Sequence, residues 1–456
     1  MLEKFFKLSE NKTDVKTEVM AGITTFMTMA YILAVNPNIL SASGMDANAV
    51  LIATALASFI GTMLMAFLAN YPFALAPGMG LNAYFAYTVV LSMGYSWQLA
   101  LLAVFVEGII FIILSLTSVR EAIFNAIPMT LKSAVSVGIG LFIAFIGLQN
   151  AKVVVNNDAT LVSFQTFKGE LFPSVGMGAL LALIGVLITA ILLIKNVKGG
   201  ILFGIIITWI LGIICELTGI YIPNPDAGMF SVIPSGLISF DFSSLGNTFG
   251  QVFTAGFSGV RILDFIVVMF SFLFVDLFDT LGTLIGVSSK ADMLDKDGKL
   301  PRIKGALLAD AIATSVGAIL GTSTTTTYVE SASGVTEGGR TGLTAVVTGL
   351  LFLLAVIFSP LFLAIPSFAT APALIIVGFY MMGAVVKINF DDMTDAIPAF
   401  LCIVSMPLLY SISEGISFGV ISWTLINLFS GKAKEKKISS LMYVLTVLFI
   451  LKYIFL

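Results

Sequence analysis

The sequence has 456 residues, of which 58% are hydrophobic and 11% are charged, and its mean hydropathy is +1.05. A water-soluble domain of this length is far less apolar, so most of the chain is predicted to lie in a lipid bilayer. The formal net charge of -3 offers no basic surface for nucleic acid. With no His and two Cys, the sequence lacks a zinc-type cluster and a His-based acid and base pair, and no metal or cofactor is expected.

The predicted elements begin with a polar segment at residues 1-18, which lacks the pattern of a removable signal peptide and is expected to stay in the cytoplasm. Apolar stretches long enough to cross a hydrocarbon core of about 30 Å then follow one another along the chain. They predict an all-α polytopic membrane protein with about fourteen spans. The predicted spans are 19-40, 48-69, 72-92, 97-117, 131-149, 174-195, 199-221, 262-288, 304-320, 322-338, 341-366, 371-387, 394-411 and 413-430.

The distribution of Lys and Arg supports a multi-pass protein of the cell (inner) membrane with a cytoplasmic N-terminus. Lys4 and Lys7 precede the first span, and a basic run at 432-437 follows the last one. Loops assigned to the outside are poorer in Lys and Arg, as the positive-inside rule requires. Residues 438-456 form a further apolar stretch, which is either a fifteenth span or a helix along the membrane interface.

The two halves of the chain resemble each other. TFMTMAY at 25-31 matches LFVDLFD at 273-279, and ALASFIGTML at 55-64 matches AIATSVGAIL at 311-320. Seven spans is an odd number, so duplicated halves would be inverted repeats, although apolar helices also resemble one another by chance. The expected organisation is a cytoplasmic segment 1-18, a first repeat 19-230, an external connecting loop 231-261, a second repeat 262-430, and a basic loop with a C-terminal apolar helix 431-456.

Two predicted spans, 72-92 and 322-338, are unsuited to regular helices. The first contains Pro72, Pro77 and two Gly residues, and the second begins with a polar run of Ser and Thr. Both are predicted to be part extended and part helical. Irregular backbone at membrane depth survives where protein or a water-lined cavity satisfies it, so the two segments are expected to face each other across a cavity. Simple kinks for helix packing are the alternative.

Acidic side chains inside the predicted spans mark the candidate site, since each costs roughly 2.5 to 3.5 kcal/mol at mid-membrane. Asp276 and Asp279 are three residues apart on one helical face, so one could contact a substrate while the other carries a proton. Glu330 opens the helical half of the second broken segment and is the best single candidate. Glu107 and Asp310 are expected to be structural. Because the sequence has no His, proton coupling would require carboxylates, whose burial disfavours the charged form. Sodium coupling would use the same oxygens.

Motifs of other protein classes are missing. The sequence has no GxxxxGK[ST] phosphate-binding run, which argues against transport driven directly by ATP. It also has no HExxH or GxSxG motif, so an enzyme is not expected.

Four motifs together are specific for a known family. The motifs are TEVMAGITTFMTMAYILAVNPNIL (17-40), APGMGLNAYFAY (76-87), FVDLFDTLGTLIG (274-286) and GTSTTTTYVESASGVTEGGRTGLTA (321-345). They resemble the AzgA-like purine permeases, which are part of the nucleobase/cation symporter and xanthine/uracil permease superfamily, and the resemblance runs nearly the full length. It implies the uracil-permease fold, with fourteen spans in two inverted repeats of seven and short strands in segments 3 and 10. Spans 1-4 and 8-11 would form a core domain, and spans 5-7 and 12-14 a gate domain.

The resemblance also implies a function, which is proton symport of hypoxanthine, guanine or adenine by alternating access, in a protein that can pair as a homodimer. Where uracil permeases carry His, this chain has Thr280, so the proton-coupling residues would be Asp276, Asp279 or Glu330. Phe26, Phe85 or Tyr328 could stack on the base. The implied substrate-binding residues are Asn82, Asp276, Thr280, Tyr328, Glu330 and Ser331, with Ala83 and Val329 nearby.

Two other classes of function remain open at this stage. An uncoupled channel or an anion exchanger of the related sulfate-transporter architecture would carry a cationic residue in the central site rather than Asp276 and Glu330. A membrane-embedded enzyme would change its substrate chemically, whereas a transporter releases it unchanged.

Overall fold

The computed structural model describes residues 2-117, 127-234, 236-257, 260-290, 293 and 300-455. This part of the chain is mostly helical. The helices are α1 Leu2–Phe6, α2 Val15–Met29, α3 Ile32–Ser41, α4 Ala47–Leu64, α5 Met79–Ala83, α6 Trp97–Leu116, α7 Met129–Asn150, α8 Met177–Ile194, α9 Gly200–Leu217, α10 Ile262–Lys290, α11 Ile303–Leu320, α12 Ser331–Thr336, α13 Gly342–Ala355, α14 Ser359–Leu363, α15 Ser367–Met382, α16 Met393–Leu408, α17 Ile412–Phe429 and α18 Ser440–Phe455. The strands are β1 Leu75–Pro77, β2 Val154–Asn157, β3 Leu161–Phe164 and β4 Thr325–Thr327.

Ten helical stretches in the described residues are long and apolar enough to cross a membrane, which confirms the polytopic membrane fold. Each coincides with a predicted span. The other four predicted spans fall on α10, on the 16-residue α16, and on the two broken segments. The ten stretches are Val15–Ser41, Ala47–Ala69, Trp97–Leu116, Met129–Asn150, Phe172–Ile194, Gly200–Leu217, Ile303–Leu320, Gly342–Leu363, Ser367–Lys387 and Ile412–Phe429.

The two broken segments are part strand and part helix, as predicted, but the expectation that they face each other across a cavity is wrong. Strands β1 and β4 pair directly and antiparallel, with Ala76 opposite Thr326. The backbone N–H of Gly78 donates to the carbonyl of Thr324 at 2.9 Å, and that of Tyr328 donates to Ala74 at 3.0 Å. Each extended backbone thus satisfies the other where lipid offers no partner, and the chain then turns into α5 and α12.

Polar side chains complete this pairing. The amide of Asn82 donates to the carbonyl of Pro77 at 3.3 Å and accepts a short hydrogen bond from the Ser323 hydroxyl. The hydroxyl of Ser331 accepts from the backbone N–H of Ala74 at 3.0 Å. A Cβ atom on Gly78 would lie 2.8 Å from Thr326 Cγ2, so the close approach of the two segments requires Gly at this position.

The N-terminal segment lies at the same end of the molecule as the start of α11. The side-chain amide of Asn70 donates to the carbonyl of Phe6 at 3.0 Å, and the hydroxyl of the adjacent Tyr71 donates to the carbonyl of Pro301. At the opposite end, the hydroxyl of Thr248 donates to the carbonyl of Leu320 at 2.9 Å. The connecting loop therefore packs across the far ends of the spans.

Helix α18 runs antiparallel to α17. Lys452, in its last turn, forms an ion pair with Glu414 in the first turn of α17. Lys436, in the turn that precedes α18, pairs with Asp392 at 2.5 Å and with Asp395 at 2.7 Å. Helix α18 therefore lies alongside α17 over much of its length.

Candidate functional site

A cavity of about 820 Å³ lies beside the paired strands. One wall is formed by α10, β4 and the residues that follow both strands. The other wall is formed by α7 and α15. Its lining includes Gly78 and Gly80 from the first broken segment and Thr327 to Glu330 from the second. The two broken segments therefore share one wall of the cavity.

The cavity opens at the end of the molecule that holds the N-terminal segment. Its exposed lining residues include Met129 at the start of α7, Gly286 near the end of α10 and Lys387 after α15. Helix α10 leads to α11, whose start lies beside Tyr71 and the N-terminal segment.

Contacts between α7, the helical segment Tyr84–Ser92 that continues α5, and the turn between α16 and α17 close the other end. Tyr87 and Asn150 exchange hydrogen bonds of 3.1 and 3.0 Å. The hydroxyl of Thr88 donates to the carbonyl of Tyr410 at 3.0 Å, and the Tyr410 ring lies edge-on to Tyr87 and Phe142. Tyr410 has a φ of 53°, a left-handed conformation that strains a non-glycine residue. We refer to Tyr87, Thr88, Asn150 and Tyr410 as the closing contacts.

Two acidic side chains of the described residues line the cavity, Asp279 and Glu330. Glu330 directly precedes α12, and one of its carboxylate oxygens accepts a 2.7 Å hydrogen bond from the hydroxyl of Tyr31. Tyr31 lies in the break between α2 and α3 and also lines the cavity. The basic lining residues, Lys132 in the first turn of α7 and Lys387 after α15, lie at the open end.

Asp276 points away from the cavity into a buried polar network. The hydroxyl oxygen of Thr280 lies 2.9 Å from Asp276 Oδ1, 3.0 Å from Asp310 Oδ1 and 2.6 Å from the hydroxyl of Thr326. All four residues are at most 1% exposed. The network joins α10, α11 and β4, and it includes Asp310, which was expected to be structural.

The structure thus divides the predicted site residues. Tyr328, Val329, Glu330 and Asp279 line the cavity, and Tyr328 is the predicted stacking ring that does so. The predicted residues that do not line the cavity are Asn82, Ala83, Asp276, Thr280 and Ser331, together with the rings of Phe26 and Phe85.

Sequence reasoning missed Tyr31, whose hydroxyl donates to Glu330. A signal for Tyr31 was present, because in the match of 25-31 with 273-279 it takes the position of Asp279. The two aligned residues reach the same cavity from opposite halves of the chain.

Apolar spanning helices around a cavity, with two broken segments and two carboxylates in its wall, define a membrane transport protein. The chain belongs to the Permease family whose xanthine/uracil permease model (Xan_ur_permease) matches residues 16–418. It is a transport protein and not an enzyme.

The chain is similar over its whole length to two permeases of known substrate and over most of its length to a solved structure. It is 46% identical to the guanine/hypoxanthine permease PbuG of Bacillus subtilis over 100% of both proteins. It is 42% identical to the adenine permease AdeP of Escherichia coli, over 100% of this chain and 96% of that one. Among solved structures, the transmembrane domain of the cyanobacterial bicarbonate transporter BicA matches with a TM-score of 0.63 and 16% identity, over 89% of this chain and 97% of that chain. The last likeness shows a shared fold.

Proposed function

We propose that this protein is a secondary transporter of the cell membrane that imports purine nucleobases by proton symport with alternating access. The observation that carries the proposal is the pair of carboxylates, Asp279 and Glu330, in the cavity beside the paired strands. The similarity to guanine/hypoxanthine and adenine permeases over the whole chain supports purines as the substrate class.

The cavity suits a flat, neutral base with N–H donors. The hydroxyl of Tyr31 donates to one carboxylate oxygen of Glu330, and the other oxygen can accept a hydrogen bond from an N–H group of the base. The ring of Tyr328 lies two residues before Glu330 and can cover one face of the base. Asn82 donates to the carbonyl of Pro77, and Ser331 accepts from the backbone N–H of Ala74. These bonds within and between the broken segments support a role for both residues in positioning the site. Direct contact of these two with the substrate stays a prediction.

Proton coupling is assigned to the carboxylates of α10 and of Glu330, which directly precedes α12. Asp279 shares the cavity with Glu330, and a proton on Asp279 would lower the negative charge that both groups place beside the substrate. Asp276 and Thr280 lie one layer behind and touch Asp310 and Thr326 through the Thr280 hydroxyl. We therefore place the proton on Asp279 during transport, with Asp276 and Thr280 holding α10 against the strand.

Alternating access is supported by the two unlike ends of the cavity. We propose fourteen spans in two inverted repeats, in which α5, α10 and α12 belong to the core domain and α7 and α15 to the gate domain. The open end would face the cytoplasm, on the side of the N-terminal segment, and the closing contacts would seal the outside. Outward opening then requires Tyr87 and Thr88 on the core to separate from Asn150 and Tyr410 on the gate.

Asn150→Ala is expected to favour the outward-open state, because it removes both hydrogen bonds with Tyr87. Bonds of this kind are each worth roughly 0.5 to 1.5 kcal/mol, so losing two of them should raise the open population about 5- to 150-fold. A Cys215→Ser, Cys402→Ser, Ile143→Cys protein is labelled from outside with a membrane-impermeant maleimide, and faster labelling is expected. Asn156→Ala, an exposed amide on β2, is the control. An unchanged labelling rate in Asn150→Ala would count against the closing contacts.

The test of the function is uptake of radiolabelled hypoxanthine, guanine and adenine into cells that lack purine transport. Saturable uptake that a protonophore abolishes is expected, and competition by a panel of unlabelled bases ranks the substrates. If no base shows such uptake, the proposal fails.

The alternative of an uncoupled channel or anion exchanger is not favoured. An anion exchanger was expected to have a cationic residue in its central site. The basic lining residues of the described chain, Lys132 and Lys387, lie at the open end of the cavity, whereas the charged groups beside the paired strands are Asp279 and Glu330. Electrogenic anion flux would be the observation in its favour. Pairing as a homodimer through the gate domain also stays a prediction.

A further inference from the structure

Tyr31 lies between the end of α2 and the start of α3, and its hydroxyl is directed at Glu330. The hydroxyl donates to one carboxylate oxygen of Glu330 at 2.7 Å, a distance typical of a hydrogen bond to a charged acceptor. Although Tyr31 borders the cavity, the residue is 0% exposed, whereas Glu330 is partly exposed there. A substrate in the cavity can therefore reach Glu330 but not Tyr31. Any effect of the Tyr31 hydroxyl on the substrate must act through Glu330.

The helix that leads to Tyr31 is packed tightly against the helix that follows Glu330. A Cβ atom on Gly334 in α12 would lie 2.7 Å from the carbonyl oxygen of Ala21 in α2, so the two helices approach each other with their backbones. The hydroxyl oxygen of Thr28, near the end of α2, lies 3.4 Å from the backbone carbonyl oxygen of Glu330. The end of α2 and the break after it therefore contact both the backbone and the side chain of Glu330.

A Glu side chain without such a partner is flexible. Several rotatable bonds separate its carboxylate from the backbone, and a substrate that binds it has to overcome the entropy cost of ordering them. In Glu330, the hydrogen bond from Tyr31 orders the side chain before a substrate is present. Pre-organisation of this kind raises affinity without adding a contact to the ligand.

We propose that Tyr31 is a positioning residue of the transporter, whose hydroxyl orients the Glu330 carboxylate so that its second oxygen can accept from an N–H group of the purine. This inference rests on the proposed function. The hydroxyl of Tyr328, on the same cavity wall, does not take over this task, because it donates to the carbonyl of Pro77 at 2.5 Å. Loss of the Tyr31 hydroxyl therefore leaves the Glu330 carboxylate free to rotate.

The test compares Tyr31→Phe with Tyr221→Phe. Each change removes the hydroxyl of a buried tyrosine, and that of Tyr221 donates to the carbonyl of Phe230 at 2.8 Å, away from the cavity lining. Uptake kinetics are measured with labelled hypoxanthine, guanine and adenine, after the amount of protein in the membrane is matched. Tyr31→Phe is expected to raise KM about 2- to 10-fold with little change in the maximal rate, because the cost of ordering Glu330 moves to the binding step. Tyr221→Phe should resemble the wild type.

A double-mutant cycle with Glu330→Asp separates positioning of the carboxylate from support of the fold. The shorter Asp side chain keeps a carboxylate but withdraws it from the Tyr31 hydroxyl. Glu330→Asp should raise KM by itself, and adding Tyr31→Phe should raise it no further. Equilibrium binding of the same bases to the purified variants gives the same cycle where uptake is too slow to measure.

Two results would overturn the inference alone. One is a wild-type KM in Tyr31→Phe, and the other is an equal effect of Tyr31→Phe with Glu330 and with Asp at that position, which would indicate a purely structural role. Absence of purine uptake by the wild type would overturn the proposed function with it.

Discussion

A Glu330→Gln variant is expected to lose purine uptake by about 100-fold or more, which corresponds to roughly 3 kcal/mol. The amide replaces one acceptor oxygen by an NH2 donor. Either the hydrogen bond from Tyr31 or the bond to the base then loses its acceptor. The measurement is the initial rate of labelled purine uptake, normalised to the protein found in isolated membranes.

The matched control is Glu435→Gln, which makes the same chemical change at an exposed position in the basic loop before α18. It should transport as the wild type does. Equal membrane levels of the two variants separate a lost contact from a lost protein. Wild-type uptake by Glu330→Gln would rule out Glu330 as a substrate contact.

Asp279→Asn is expected to abolish accumulation of purine against a gradient while exchange of labelled for unlabelled purine continues. The amide keeps the shape of the side chain in the cavity but cannot take up and release a proton. Coupling to protons is therefore lost, whereas the protein still changes conformation with substrate bound. The measurement compares accumulation driven by a pH gradient with counterflow at uniform pH.

Asp276→Asn provides the comparison, since Asp276 is on the same helix but points into the network with Thr280 and Asp310. The sequence predicts that this variant also loses uptake while the protein stays in the membrane. If Asp279 carries the proton, Asp276→Asn should lower exchange and accumulation together. The reason is that it weakens the hydrogen-bond network that joins α10 to α11 and β4. If Asp276→Asn alone separates exchange from accumulation, the coupling group is Asp276 and our assignment to Asp279 is wrong.

The location of the spans was predictable because it depends on local composition. The ten apolar stretches coincide with predicted spans, and Pro72, Pro77 and the polar run before Tyr328 identified both broken segments. Glu330 could be selected for the same reason, since a carboxylate at a break in a membrane segment needs a partner or a task.

The side chains that share the cavity could not be predicted from local pattern. Asp276 and Asp279 are three residues apart, and the rotation of α10 about its axis decides which of them faces the cavity. That rotation is set by packing against α11 and β4, through the Thr280 hydroxyl and its contacts with Asp310 and Thr326. The direct pairing of β1 with β4 is likewise a long-range contact.

The central claim, proton-coupled purine transport, is tested most directly with the purified protein in liposomes. The external medium is made acidic relative to the lumen, sodium is left out, and labelled hypoxanthine, guanine or adenine is added outside. We expect at least one base to accumulate above its external concentration and to leave again when a protonophore is added. Entry that stops at equal concentrations with or without the pH gradient would contradict the account.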